Sequence, residues 1–153
     1  MNKLGISEQK MDTIERKIVA VKLENLDETI TFNCQKLDLE YLIKLHKYLF
    51  NDLYTDDLTD TRHLSKEEIE IINKMLHMVN QICINEPKSI MKIIDILHEI
   101  WRLQPFLDGN TRTLIGYLIM LKECYYLDIP LDVHNDLRGV ITAKKLELNR
   151  KVK

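Results

Sequence analysis

From Ile90 to Trp101 the chain places apolar residues on nearly every side of a helix: Ile90, Ile93, Ile94, Ile96, Leu97, Ile100 and Trp101. A helix with so little polar surface has to be wrapped by other elements, so it is expected at the centre of a bundle. The remaining sequence supplies candidates for the wrapping. Lys10 to Leu23 carries Met11, Ile14, Ile18 and Val21 at helical spacing. Asp38 to Leu53 carries a clearer stripe of Leu39, Leu42, Ile43, Leu45, Leu49 and Phe50. Ser65 and Glu68 form a capping box that opens a helix running through Ile69, Ile72, Met75, Leu76 and Val79 to about Ile84. Pro87 suits the first turn of the next helix, where its missing N–H costs nothing. That helix must stop near Gln104, because Pro105 disfavours helical geometry in the residue before it.

After a short loop, "TRTLIGYLIMLKECYYL" reads as another buried helix, closed near Asp128 by Pro130. A more amphipathic helix is expected over residues 132–150. Only "ENLDETITF" suggests an irregular stretch or a short strand, and a hairpin stays compatible with the pattern. The expected class is all-α. With 153 residues and no Gly/Ser- or Pro-rich linker, residues 1–153 are expected to form one domain. Its core would span about 38–129, after an N-terminal extension over 1–37.

A formal net charge of −2 gives no basic field for nucleic acid or an anionic membrane, and the basic end "KKLELNRKVK" reads as a solvated helix end. Cys34, Cys83 and Cys124 are far apart, with no C-x-x-C pair, which fits reduced, buried thiols. The polar start "MNKLGISEQKMD" is unlike a signal peptide, and no run approaches the ~20 apolar residues of a membrane span. A soluble, cytoplasmic protein is expected.

The loop "LDGNTRT" between the two apolar helices carries the chemistry. It precedes a helix N-terminus, where unpaired N–H groups and the helix dipole favour an anion. Gly109 allows a left-handed turn or a close backbone approach. Arg112, in the first turn, offers a fork of donors to a phosphate, and Asp108 suits either a helix cap or Mg²⁺. Two readings fit these residues: an anion site, or a capped turn whose arginine makes a salt bridge.

The order of residues in "QPFLDGNTRT" resembles the H-P-F-x-[D/E]-G-N-x-R motif of the Fic (filamentation induced by cAMP) family. Pro105, Phe106, Asp108, Gly109, Asn110 and Arg112 fall in register, and "LEYLIKLHKYLFNDLY" resembles the family's preceding helix, with its Leu-His and Phe-x-x-x-Tyr spacing. The resemblance implies a Fic-type helical bundle that transfers AMP from ATP, with Mg²⁺, to a hydroxyl of a target protein. It implies that Asp108 holds Mg²⁺, that Gly109, Asn110 and Thr111 shape the anion hole, and that Arg112 neutralises phosphate charge. Phe106 would anchor the loop in the core.

Three departures bear on activity. Gln104 stands where the family has its general base, and a carboxamide accepts a hydrogen bond but carries no proton away. Ile115 replaces a second arginine. Only residues 55 to 63 separate Tyr54 from Leu64, too few for more than a very short target-docking flap. An inhibitory helix of the Ser/Thr-x-x-x-Glu-Gly/Asn type is not found, since "AVKLEN" has Ala20 at the hydroxyl position. Three functions are therefore expected in competition: an impaired adenylyltransferase, or a weak relative using another phosphate-containing donor; a nucleotide- or phosphate-binding module without turnover; and a purely structural helical domain with a relic loop. His98 is expected in the core, His63 in a solvated loop, and Trp101, Tyr117, Tyr125 and Tyr126 in the core or lining a groove. His46 and His77 have no partner at metal-ligand spacing, and His134 with Asp136 reads as at most a helix-start feature. Asp56, Asp57 and Asp60 read as a solvated turn.

Overall fold

The computed structural model describes residues 3–24, 37–54 and 61–127. Among these are five helices: α1 (Glu8–Glu24), α2 (Leu39–Phe50), α3 (Lys66–Asn85), α4 (Ile90–Leu103) and α5 (Asn110–Tyr125). No strand occurs among the described residues, so the all-α expectation holds there; the one extended pairing is an isolated bridge between Thr61 and Phe106. None of the described helices is long and apolar enough to cross a membrane. The helix expected over 132–150, Pro130, Cys34 and the acidic residues Asp56, Asp57 and Asp60 lie outside the described residues.

Local chemistry sets the helix ends. Asp38 caps α2 by accepting from Tyr41 N–H, and Ser65 and Glu68 form the expected reciprocal box on α3. Pro87 is not in a first helical turn. It lies in the tight turn closed by Ser89 N–H to Glu86 O, 2.9 Å, where a fixed φ is equally useful, and α4 starts only at Ile90.

The central helix is α5 rather than α4. On α4 the buried residues are Ile93, Ile94, Leu97, His98 and Ile100, while Met91, Asp95 and Glu99 are exposed. On α5 every residue from Thr113 to Leu118 is buried. Size explains the difference. Gly116 has no side chain, and a methyl group there would meet Leu45 Cδ2 at 3.2 Å and Leu23 Cδ2 at 3.3 Å, so α1 and α2 both close onto α5. Inside the bundle Tyr117 Oη–H donates to Leu37 O at 2.6 Å, and Asn80 Nδ2 donates to Tyr117 Oη at 3.2 Å.

The register of α1 also differs from the expected stripe. Val21 is exposed, and the buried line is Met11, Glu15 and Val19, four residues apart. Lys22 fastens this helix to the end of α2 through Tyr48 O, 2.7 Å, and the Asp52 carboxylate, 2.8 Å. A glutamate thus faces inward, and its partners are Tyr54, just past the end of α2, and Arg112, in the first turn of α5. Of the cysteines, Cys83 is a buried free thiol. Cys124 corrects the expectation of reduced thiols. It is disulfide-bonded, at a half-buried position near the end of α5.

Candidate active site

Between α4 and α5 the chain reverses within six residues. Gln104 closes α4 in the left-handed region, φ 46° and ψ 64°, a conformation that only a few per cent of non-glycine residues adopt. Arg62 helps hold it there. Its Nε donates to Gln104 O at 2.8 Å, and Nη2 donates to Leu103 O at 2.9 Å and to Glu68. These contacts occupy carbonyls that a helix end leaves without partners. Arg62 N–H then donates to Pro105 O, 2.9 Å, beside the Thr61–Phe106 bridge.

Asn110 pins the loop from inside. Its Oδ1 accepts from Phe106 N–H at 3.0 Å, and its Nδ2 donates to Phe106 O at 2.9 Å and to Gln104 Oε1 at 3.0 Å. From below, the buried His46 stacks on Phe106, with ring centroids 4.0 Å apart and planes 2° off parallel. The same imidazole donates from Nε2 to Asp108 O at 2.8 Å. Gly109 then turns the chain at φ 79°, its N–H bonded to Asp108 Oδ1. There is no room for a side chain: a methyl group at Gly109 would lie 2.5 Å from Phe50 Cε2.

The first backbone bond of α5 is Thr113 N–H to Gly109 O, 3.1 Å. Asn110, Thr111 and Arg112 therefore have N–H groups with no carbonyl to take inside the helix, at the positive end of its dipole. They border a polar cavity of about 230 Å³ lined by Trp101, Gln104, Asp108, Gly109, Asn110, Thr111 and Arg112. Trp101 Nε1–H donates to Thr111 Oγ1 at 3.2 Å and fixes that wall. All six residues expected to form the site thus line one cavity.

Asp108, where the motif implies Mg²⁺, lines this cavity. One carboxylate oxygen serves the turn, and the described residues hold no cluster of three or more His, Cys, Asp or Glu side chains that would cage a metal by themselves. A single carboxylate combined with substrate phosphates is how Mg²⁺ is usually held. Gln104 is engaged at both ends of its amide, donating to Trp101 O at 2.8 Å and accepting from Asn110. Ile115 is in the core, 1% exposed, three residues past Arg112 and facing away from the cavity.

Arg112 is already paired. It donates from Nη2 to Glu15 Oε1, and its guanidinium stands 5.0 Å above the Phe50 ring. The other oxygen of Glu15 accepts from Tyr54 Oη–H. Burial, then the hydrogen bond to Glu15 and its charge, push the Tyr54 phenol well above its usual range, so it stays protonated. Tyr54 and Asp108 also share a second, apolar cavity of about 180 Å³ with His46, Phe50 and Leu107. Of the two sequence readings of Arg112, the salt bridge is the one seen, and the side chain also lines the polar cavity.

Sequence reasoning missed two members of this site. His46 carried no signal except its place in the family-like helix. Glu15 carried none, since a lone acid between Met11 and Val19 reads as a solvated turn of helix. His98 is buried as expected, while Tyr126 is 93% exposed and neither in the core nor in a groove, because it is the left-handed residue that ends α5.

A helix–loop–helix with this pinned turn, a buried phenylalanine anchor and an arginine in the next turn is the arrangement that the motif implies. The Fic/DOC family profile matches residues 36–121, more than half of the chain, and the protein belongs to that family, whose members transfer AMP or other groups to proteins. No curated protein matches the chain.

Proposed function

We propose that the protein is a slow nucleotidyltransferase that moves the AMP part of ATP onto a hydroxyl of a target protein, in the cytoplasm where ATP is plentiful. The observation that carries this reading is the polar cavity at the N-terminus of α5, with its open N–H groups, Asp108 and Arg112. Phosphate oxygens suit the N–H groups and the guanidinium. Asp108 would hold a Mg²⁺ that offsets phosphate charge. The target oxygen attacks the α-phosphorus, the bond to the bridging oxygen breaks, and pyrophosphate leaves. Gln104 would orient the attacking hydroxyl but cannot keep its proton, which is why the reaction is slow.

A second reading is favoured by one observation: both ends of the Gln104 amide already serve the loop. A residue spent on structure suits a module that binds a nucleotide or phosphate and does not turn it over. ATP labelled on the α-phosphate, with Mg²⁺ and a cell lysate, separates the two. The transferase reading expects slow protein labelling that needs Mg²⁺ and is lost in Arg112→Ala. Binding without any labelling supports the module instead.

A further inference from the structure

We infer that Arg62 is a positioning residue for the phosphate loop: it holds Gln104 in its left-handed turn, and through that turn keeps the polar cavity in the shape that binds a nucleotide. The inference rests on the nucleotide reading of that cavity, which the transferase and the module share. Arg62 lies before α3 and does not line the cavity. Three consecutive carbonyl oxygens at the end of α4 nevertheless accept from it. Leu103 O takes Nη2 at 2.9 Å, Gln104 O takes Nε at 2.8 Å, and Pro105 O takes the backbone N–H at 2.9 Å. The chain itself offers these carbonyls little, because Pro105 has no N–H and the backbone leaves the helix at Gln104. Glu68 holds the guanidinium from the other side. One of its carboxylate oxygens pairs with Arg62 Nη2, and the other accepts from Ser65 N–H at 3.1 Å. The capped start of α3 thus anchors the end of α4.

Holding these carbonyls fixes the peptide planes on both sides of Gln104. Without that hold, a glutamine at φ 46° and ψ 64° is in the less stable backbone state and relaxes toward negative φ. The rotation swings the Gln104 amide away from Asn110 Nδ2 and Trp101 O. Both of those residues line the polar cavity. The binding-competent loop then exists in only a fraction of the molecules, and the apparent affinity falls by that fraction. Charge is not the lever, since the Arg62 guanidinium is paired with Glu68 and spent on carbonyls.

A double-mutant cycle with Gln104→Gly tests this, because glycine adopts positive φ without being held there. Arg62→Ala should weaken Mg·ATP binding about tenfold in the otherwise unchanged protein, the worth of one residue's left-handed strain. In the Gln104→Gly background the same change should cost less than about threefold, since the strain that Arg62 opposes is gone. Binding is read on the full chain from Trp101 fluorescence, with denaturant unfolding confirming that each variant is folded. A second readout needs no ligand. The N–H groups of Gln104 and Phe106 are bonded to Trp101 O and Asn110 Oδ1, and in Arg62→Ala they should exchange faster with solvent while those in the middle of α5 stay protected. Equal losses of affinity in the two backgrounds would overturn the inference, because Arg62 would then act through its charge or through overall stability. Unchanged exchange at the loop in Arg62→Ala would overturn it too. If the unchanged protein binds no Mg·ATP, the nucleotide reading itself falls, and the role given to Arg62 falls with it whatever the exchange shows.

Discussion

Replacing Gln104 by histidine is expected to raise the rate of label transfer from ATP by about 10²–10⁴-fold, the usual worth of a placed general base. Imidazole takes up a proton near neutral pH, and the position is one that the backbone already aims at the polar cavity. The substitution suits its site. Gln104 lies at φ 46°, and histidine is among the residues enriched in that left-handed region. Asn110 would lose its bond to Gln104 Oε1 but keep both bonds to Phe106, so the loop stays closed. Initial rates with α-labelled ATP check the prediction, and adding Arg112→Ala to Gln104→His should remove the gain. No gain at all would mean that Ile115, in place of a second arginine, has already disabled the site.

Gly109→Ala is expected to do the opposite, costing about 2–5 kcal/mol of stability through left-handed strain and overpacking together. The strain arises because φ is 79°, and the overpacking because the new methyl would sit 2.5 Å from the Phe50 ring. That ring cannot retreat easily. It is 3% exposed, tilted against His46 at 4.8 Å between centroids, and covered by the Arg112 guanidinium. The loop has to move instead, and nucleotide binding should be lost with it. Denaturant unfolding and an ATP titration read the two losses separately. A second change, Phe50→Leu, should return part of the stability if the clash is the cause, because neighbouring sites do not add independently. Equal stability of Gly109→Ala and the unchanged protein would contradict the loop geometry described above.

Much of this site was legible in the sequence because its parts are local. The loop residues from Gln104 to Arg112 are contiguous, and the chemistry of a turn before a helix follows from glycine, an acid and an arginine in order. The capping box at Ser65 and Glu68 was legible for the same reason. What could not be read was anything set by how helices meet. The ranking of α4 as central failed because counting apolar residues does not show which helix carries the small residue that lets its neighbours close in. Gly116 decided that. Glu15 lies 97 positions before Arg112. Its pairing depends on the rotation of α1, and the expected stripe through Val21 had that rotation wrong. His46 was visible as part of a family-like helix, but its hydrogen bond to the Asp108 carbonyl was not, since a backbone acceptor leaves no mark in the sequence.

The most direct test of the central claim, that this loop holds nucleotide phosphates, uses the protein's single tryptophan, which lines the cavity. Trp101 fluorescence would be followed while Mg·ATP or adenosine is added to the unchanged protein and to Arg112→Ala. The account predicts a saturable change with Mg·ATP and little with adenosine. Binding should weaken roughly ten- to hundredfold in Arg112→Ala, from the loss of charged hydrogen bonds worth about 1.5–3 kcal/mol. No saturable change with Mg·ATP, or equal binding of adenosine, would contradict it.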